Sequence, residues 1–159
     1  MTNDSVRKEI IQILNKALEM EHQAYVQYLS HAELVDGLDS DPIIERLKEI
    51  ASDESKHAEK YRTLIGDYLD GTPSMGIAKT TEATDVNGIL KANLRGEMEA
   101  VEYYGSILEK IAKNRGSLPY AFLRLEHDVR HILMEEEEHI AELRKLLALK
   151  MGEVEAKKF

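Results

Sequence analysis

The sequence predicts an all-α protein, a four-helix bundle with one long crossover between helices two and three. Apolar residues recur in steps of three and four along four long stretches, which is the helical period. Helix-stopping residues close each stretch, at Gly37, Gly71, Asn114 to Gly116, and Gly152. The connection after the second stretch, Leu69 to Ala83, is far longer than the other two and contains Gly71, Pro73 and Gly76.

The first helix is expected from about Ser5 to Asp36, with an inward stripe of Ile11, Leu14, Leu18, Glu21, Tyr25, Tyr28, Ala32 and Val35. The second opens at Ser40-Asp41-Pro42, a cap residue followed by a proline where a first-turn N–H is not needed. Its stripe is Ile43, Leu47, Ile50, Glu54, His57, Tyr61, Leu64 and Tyr68, ending near Gly71. The third begins near Thr84-Asp85 and carries Leu90, Leu94, Glu97, Val101, Tyr104, Leu108 and Ile111. The fourth opens at Ser117-Leu118-Pro119 and carries Leu118, Phe122, Leu125, Val129, Ile132, Glu136, His139, Leu143 and Leu146. Short first and third connections make antiparallel hairpins. A helix of ~30 residues is ~45 Å long, and an extended segment of ~15 residues reaches ~50 Å. The middle connection can therefore run the length of the bundle.

With 159 residues, the chain is expected to be one domain spanning residues 1–159, long enough to bury a core. It has no cysteine, which excludes disulfides, thiolate zinc sites and iron–sulfur clusters. Net charge is −9, which argues against nucleic acid and favours cations as partners. The start lacks the basic and apolar regions of a secretory signal, and no apolar run is long enough for a bilayer, so the cytoplasm is the expected location and no membrane partner is expected.

The chemistry lies in what interrupts the apolar stripes. Glu54 and His57, and again Glu136 and His139, are Glu-x-x-His steps that share one helix face. Glu21 and Glu97 stand where a helix would carry leucine. Unpaired carboxylates in such surroundings would cost several kcal/mol or be forced neutral. Two divalent cations cancel four negative charges, and this ligand set is the general pattern of di-metal carboxylate bundles. The chain supplies its own controls: Glu19-x-x-His22 and Asp128-x-x-His131 have the same kind of spacing but lie off the stripes, and read as surface. Imidazole with carboxylate suits iron, manganese or zinc, and open positions for O2 or H2O2 favour iron. Tyr28 and Tyr104 each follow a stripe glutamate by seven residues and read either as core filling or as redox or orienting groups. Asp53, Glu135 and Asn93 are candidate acceptors for the second N–H of ligand histidines. A weak repeat, Leu18-x-x-Glu21-x-x-Ala24-x-x-x-Tyr28 against Leu94-x-x-Glu97-x-x-Ala100-x-x-x-Tyr104, points to two similar hairpins and a site of approximate two-fold symmetry.

These residues resemble the ferritin-like superfamily, bacterioferritin most closely. Leu14-Asn15-Lys16, Glu21 and Ala24-Tyr25-Val26-Gln27-Tyr28 are similar to its first helix, Glu54-Ser55-Lys56-His57-Ala58 to its second, and Glu97 with Glu136-x-x-His139-Ile140 completes the set. The resemblance implies Glu21 and Glu97 as terminal ligands, Glu54 and Glu136 as bridges, and His57 and His139 as one ligand for each of two Fe ions, with Mn or Zn as possible substitutes. It places Tyr28 beside the site among the catalytic residues. It implies ferroxidase activity, oxidation of Fe(II) by O2 or H2O2, and iron storage in a homo-oligomer. The alternative is a di-iron or di-manganese peroxidase or oxidase of low oligomeric state, without mineral. Ser55 stands where bacterioferritins carry a haem-ligating methionine, so haem is not expected. The span from Glu97 to Glu136 is about two turns longer than that family's, and the tail after Gly152 is too short for a fifth helix. Rubrerythrins fit less well, because Leu94 stands in place of their extra glutamate.

Overall fold

The computed structural model describes residues 3–151. Four helices dominate: α1 (Asn3–Ala32), α2 (Ser40–Thr63), α3 (Val86–Lys113) and α4 (Phe122–Met151). A single π-helical turn, Leu64–Tyr68, extends α2, and a short 3-10 turn, Arg115–Ser117, precedes α4. The expected stop at Gly152 and the tail beyond it lie outside the described residues. Among the described residues no helix is long and apolar enough to cross a membrane.

The helix ends show where turn chemistry overrides periodicity. α1 stops at Ala32, four residues before Asp36, and the chain turns through Gly37 at φ 99° and Asp39 at φ 66°. Gly37 supplies a left-handed conformation that a Cβ would strain. The fourth helix begins at Phe122 rather than Ser117, because the 3-10 turn and a further turn around Pro119 consume the intervening residues. Asp85 caps α3, its carboxylate accepting from the Gly88 N–H at 2.6 Å.

Packing is strongest within the two hairpins, α1 on α2 and α3 on α4, and the hairpins meet through α1 with α3 and α2 with α4. Contacts at Glu9–Lys110, Ile13–Tyr103 and Gln27–Asn93 place α3 antiparallel to α1. Helices α2 and α3 are therefore parallel, and the chain must cross the full bundle between them. It does so along α1. Arg7 donates to the Leu69 carbonyl, Asn15 to the Thr72 carbonyl, Ala78 N–H to the Glu19 carbonyl and Thr81 N–H to the Gln27 side chain. The same connection passes so close to α1 at Gly71 that a Cβ there would meet the Ile11 side chain at 2.8 Å.

Two apolar clusters fill the bundle. One contains Ile10, Leu14, Leu18, Tyr61, Leu64, Tyr104, Ile107, Leu125 and Ile132, and the other Tyr28, Ile43, Leu47, Ile50, Leu90, Leu94, Leu143 and Leu147. Between them lies a layer of buried glutamates and histidines.

Several stripe positions differ from expectation. Ile10, Ile107 and Leu147 are buried completely, whereas Ile11, Val101, Leu108, Phe122 and Leu146 are only partly covered. The buried arc of each helix is set by its two neighbours, not by the stripe's centre alone. Tyr25 and Tyr68 are each 40 % exposed rather than core. Tyr25 lies about 40° round the helix from Glu21 and borders a cleft with Arg62, Met75 and Ile77 that no described residue fills. Asp128, expected on the surface, is buried, with Arg124 and His127 beside its carboxylate.

Candidate metal centre

The middle layer draws one glutamate from α1, one from α3, and a Glu-x-x-His step from each of α2 and α4. Glu21, Glu54, His57, Glu97, Glu136 and His139 are all at most 3 % exposed. His57 Nδ1 lies 3.1 Å from Glu136 Oε1, 3.2 Å from Glu54 Oε1 and 3.6 Å from Glu21 Oε2. His139 Nδ1 lies 3.3 Å from Glu136 Oε1, 3.5 Å from Glu54 Oε1 and 3.5 Å from Glu97 Oε2. The donors thus form two sets, Glu21, Glu54, His57 and Glu136, and Glu54, Glu97, Glu136 and His139, in each of which one atom per residue lies within 4.8 Å of the others. Glu54 and Glu136 belong to both.

The backs of the histidines are fixed. His57 Nε2 meets the Glu135 carboxylate, and His139 Nε2 meets Asp53 Oδ2 at 3.0 Å. A carboxylate accepts N–H, so the proton of a neutral ring sits on Nε2 and the Nδ1 lone pair faces the centre. Asn93, the third expected acceptor, does not serve a ligand-type histidine. It bonds Gln27, His31 and the Ile89 carbonyl instead, because it sits one turn before Glu97, where α3 faces α1.

Each outer glutamate is held by a tyrosine of the opposite hairpin. Tyr28 OH donates to Glu97 Oε1 at 2.7 Å, and Tyr104 OH donates to Glu21 Oε1 at 2.6 Å. Burial, followed by the nearby carboxylates, raises both phenols well above their ordinary pKa, so they remain donors.

The inward atoms have no partner. Glu21 Oε2, Glu54 Oε1, His57 Nδ1, Glu97 Oε2, both Glu136 oxygens and His139 Nδ1 are buried without a hydrogen bond of acceptable geometry. Orphaned buried polar atoms are costly and rare. Their convergence fits a pair of cations, since imidazole nitrogen together with carboxylate oxygen suits divalent transition metals.

Protons occupy the charge imbalance in the metal-free centre. Burial, then the charge of Glu136, lifts Glu21 to about 7 and Glu97 to about 8. Burial, then Glu136, Glu21 and Glu97, pushes Glu54 well above the carboxylate range. Burial would raise Glu136 too, but its contacts with both histidines pull it below that range. Burial pulls the imidazoles down, yet Glu136 with Glu21 or Glu97 outweighs it and lifts His57 and His139 to about 11.

A ferritin-like domain model matches residues 11–151. The chain belongs to the ferritin-like family. Within it, the chain is 31 % identical over 137 residues to the bacterioferritin of Desulfovibrio desulfuricans, covering 84 % of this chain and 72 % of that one. A ferritin-like, diiron-carboxylate protein from Bacillus anthracis superposes with a TM-score of 0.82 at 27 % identity, over 92 % of this chain and 99 % of the other. A dodecameric thioferritin from Bacteroides fragilis gives 0.76 at 27 % identity, over 89 % and 86 %.

The structure brings all six expected ligand-type residues together and places Tyr28 against Glu97. Two features escaped the sequence. Tyr61 lies in contact with Tyr104 and buries a hydroxyl that has no hydrogen-bond partner among the described residues. Gln27 and His31, one turn apart on the flank of α1, form a buried network with Asn93 and the Thr81 backbone. The only signal was their i, i+4 spacing beside the stripe.

Proposed function

We propose that the chain is one ferritin-like domain whose centre holds two iron ions and oxidises Fe(II) with O2 or H2O2, serving iron storage or detoxification in a homo-oligomer. The observation that carries this reading is the convergence of orphaned ligand atoms from all four helices on one buried spot, with two carboxylates common to both donor sets. Glu21 and His57 would hold one ion, Glu97 and His139 the other, and Glu54 and Glu136 both. When bound, two adjacent ions would supply two electrons together to a small oxidant.

The chain's own groups prepare that chemistry. Asp53 and Glu135 hold the imidazoles with Nδ1 inward, so no ring must turn before it binds. Tyr28 and Tyr104 each occupy one oxygen of a terminal glutamate and leave the other free. The apolar clusters cover the layer on either side along the bundle, and a narrow cleft between α1 and α3 reaches Glu54, Glu97 and Glu136. Protons held by Glu54, Glu21, Glu97 and the two imidazoles would leave as cations enter, which would keep the buried layer near neutrality. Exposed Tyr25, Val26, Leu34 and Ile77 on and beside α1 support association with further copies.

The test is stopped-flow oxidation of Fe(II) in air or H2O2. Glu54→Ala and Glu136→Ala should each abolish the fast phase, since each removes a donor common to both sets. His22→Ala should leave it intact, because His22 bonds the Gly76 carbonyl of the crossover and lies outside the centre. Both bridging variants oxidising iron at the parent rate would refute the reading. Loss of the fast phase in both variants, with a parent that oxidises iron but never takes up more than about two irons per chain, would instead select the peroxidase or oxidase without mineral.

A further inference from the structure

Away from the core, His127 and His131 bring two imidazoles together on the exposed side of α4. We propose that they form an outer binding site for one divalent transition-metal ion, which stages Fe(II) for the core centre. The staging role rests on the ferroxidase reading; the binding site does not.

Residues four apart on a helix lie one above the other, and two histidines so placed are an established metal-binding pair on helices. Here the ring centroids are 4.2 Å apart with the planes inclined by 30°. His127 Nδ1 faces Asp128 Oδ1 at 2.9 Å, and Asp128 is 9 % exposed with Arg124 3.6 Å away. A buried carboxylate behind the ring takes the Nδ1–H and leaves Nε2 as the ligand atom, whereas Asp53 and Glu135 in the core hold Nε2 and leave Nδ1. The nitrogens of His131 take no hydrogen bond among the described residues. Nearby positive charge is matched, Arg124 against Asp128 and Arg130 against Glu126 at 2.7 Å. Two imidazoles with water completing the shell suit Fe(II), Co(II), Ni(II) or Zn(II).

The site also has a direction. Glu135 is the next residue on the same row, four beyond His131, and its half-exposed carboxylate contacts Nε2 of His57. His127, His131 and Glu135 therefore make a row of ligand-type groups, about 12 Å long, from solvent to the edge of the centre.

Equilibrium dialysis of the metal-free chain against Zn(II) tests the site. His127→Ala/His131→Ala should bind one zinc per chain fewer than the parent, and Glu54→Ala/Glu136→Ala should retain that zinc. Both histidines are exposed, and far-ultraviolet circular dichroism checks that the helices remain. An unchanged zinc count in the histidine variant, or loss of all zinc in the glutamate variant, overturns the outer site. Staging is read from initial rates at limiting Fe(II). The histidine variant should raise the apparent KM for Fe(II) on the order of tenfold, the scale of local cation enrichment, with the deficit shrinking as Fe(II) rises. A lost zinc with an unchanged KM overturns the staging role while leaving the outer site standing. Loss of oxidation in the parent itself would refute the ferroxidase reading and staging together, again without touching the zinc count.

Discussion

The metal-free centre should make the protein weaker as pH rises across neutrality. Glu21 and Glu97 titrate near 7 and 8 in the fold against 4.5 when unfolded. The folded chain therefore binds more protons than the unfolded one across this window, and the slope of stability with pH is negative. The stability these groups contribute is present below pH 4.5 and is lost as pH climbs through 7 and 8. His57 and His139, raised to about 11 from 6.5, act in the same direction from about pH 6.5 upward, inside the same window. Glu136 is depressed and opposes them only below about pH 4.5, outside the window. Glu21 alone spans from 4.5 to about 7, which at 1.36 kcal/mol per unit is roughly 3 kcal/mol. Glu97 shares the same repulsion from Glu136, so the two do not add fully. A chain of this size loses about 2–4 °C in Tm per kcal/mol, so Glu21 alone should lower melting by about 10 °C between pH 5 and 8, and the other raised groups add to that fall. Calorimetry of chelator-treated protein measures it, with Glu21→Gln/Glu97→Gln as the control that flattens the slope. Fe(II) or Mn(II) should raise Tm most at the alkaline end, where protons compete least. A metal-free Tm that is flat or rises from pH 5 to 8 would refute the charge arrangement described for the centre.

Other consequences follow from individual contacts. Tyr61→Phe should stabilise the metal-free protein by about 1 kcal/mol, since it removes a buried hydroxyl with no partner. Tyr104→Phe should instead destabilise it by roughly 1–3 kcal/mol, since it strips Glu21 of the hydroxyl that donates to it; urea unfolding distinguishes the two, and equal signs would contradict the assignment. Asp53→Ala and Glu135→Ala should each weaken metal affinity by about 10–100-fold, read by competition with a chelating dye, and an effect below twofold would show that the histidines need no support from behind. Ser55 is exposed on α2 where a haem-ligating methionine was expected, so the purified protein supplied with haem should develop no Soret band, and a stoichiometric haem spectrum would overturn that expectation.

The helices and the six ligand-type residues were legible because burial along a bundle repeats with the helix period. A glutamate in phase with Leu14 and Leu18, or a histidine in phase with Ile132 and Leu143, is conspicuous in one dimension. What was not legible depends on a neighbour's position. The crossover lies along α1 and buries Gln27 and His31 off the stripe, while Tyr25 on the other flank stays 40 % exposed. Asn93 has the right spacing to reach a histidine of the centre, but the one it meets is His31. Nor does periodicity reveal that Tyr28 and Tyr104 exchange partners, since spacing on one helix carries no information about axial register against another.

That exchange has a consequence for how the molecule comes together. Tyr28 and Glu97 are 69 positions apart in the chain, and Tyr104 and Glu21 are 83 apart. Each hairpin can form from short-range contacts, at low loop-closure cost. Neither hairpin alone, however, can satisfy its own glutamate. The joining of the hairpins is then also the step that first completes both donor sets, since each half alone carries three of the six groups. Metal availability acts on the docking of two preformed pieces and not on the helices within them, so an ion-starved cell would be expected to hold a loosened bundle whose helix content is almost unchanged.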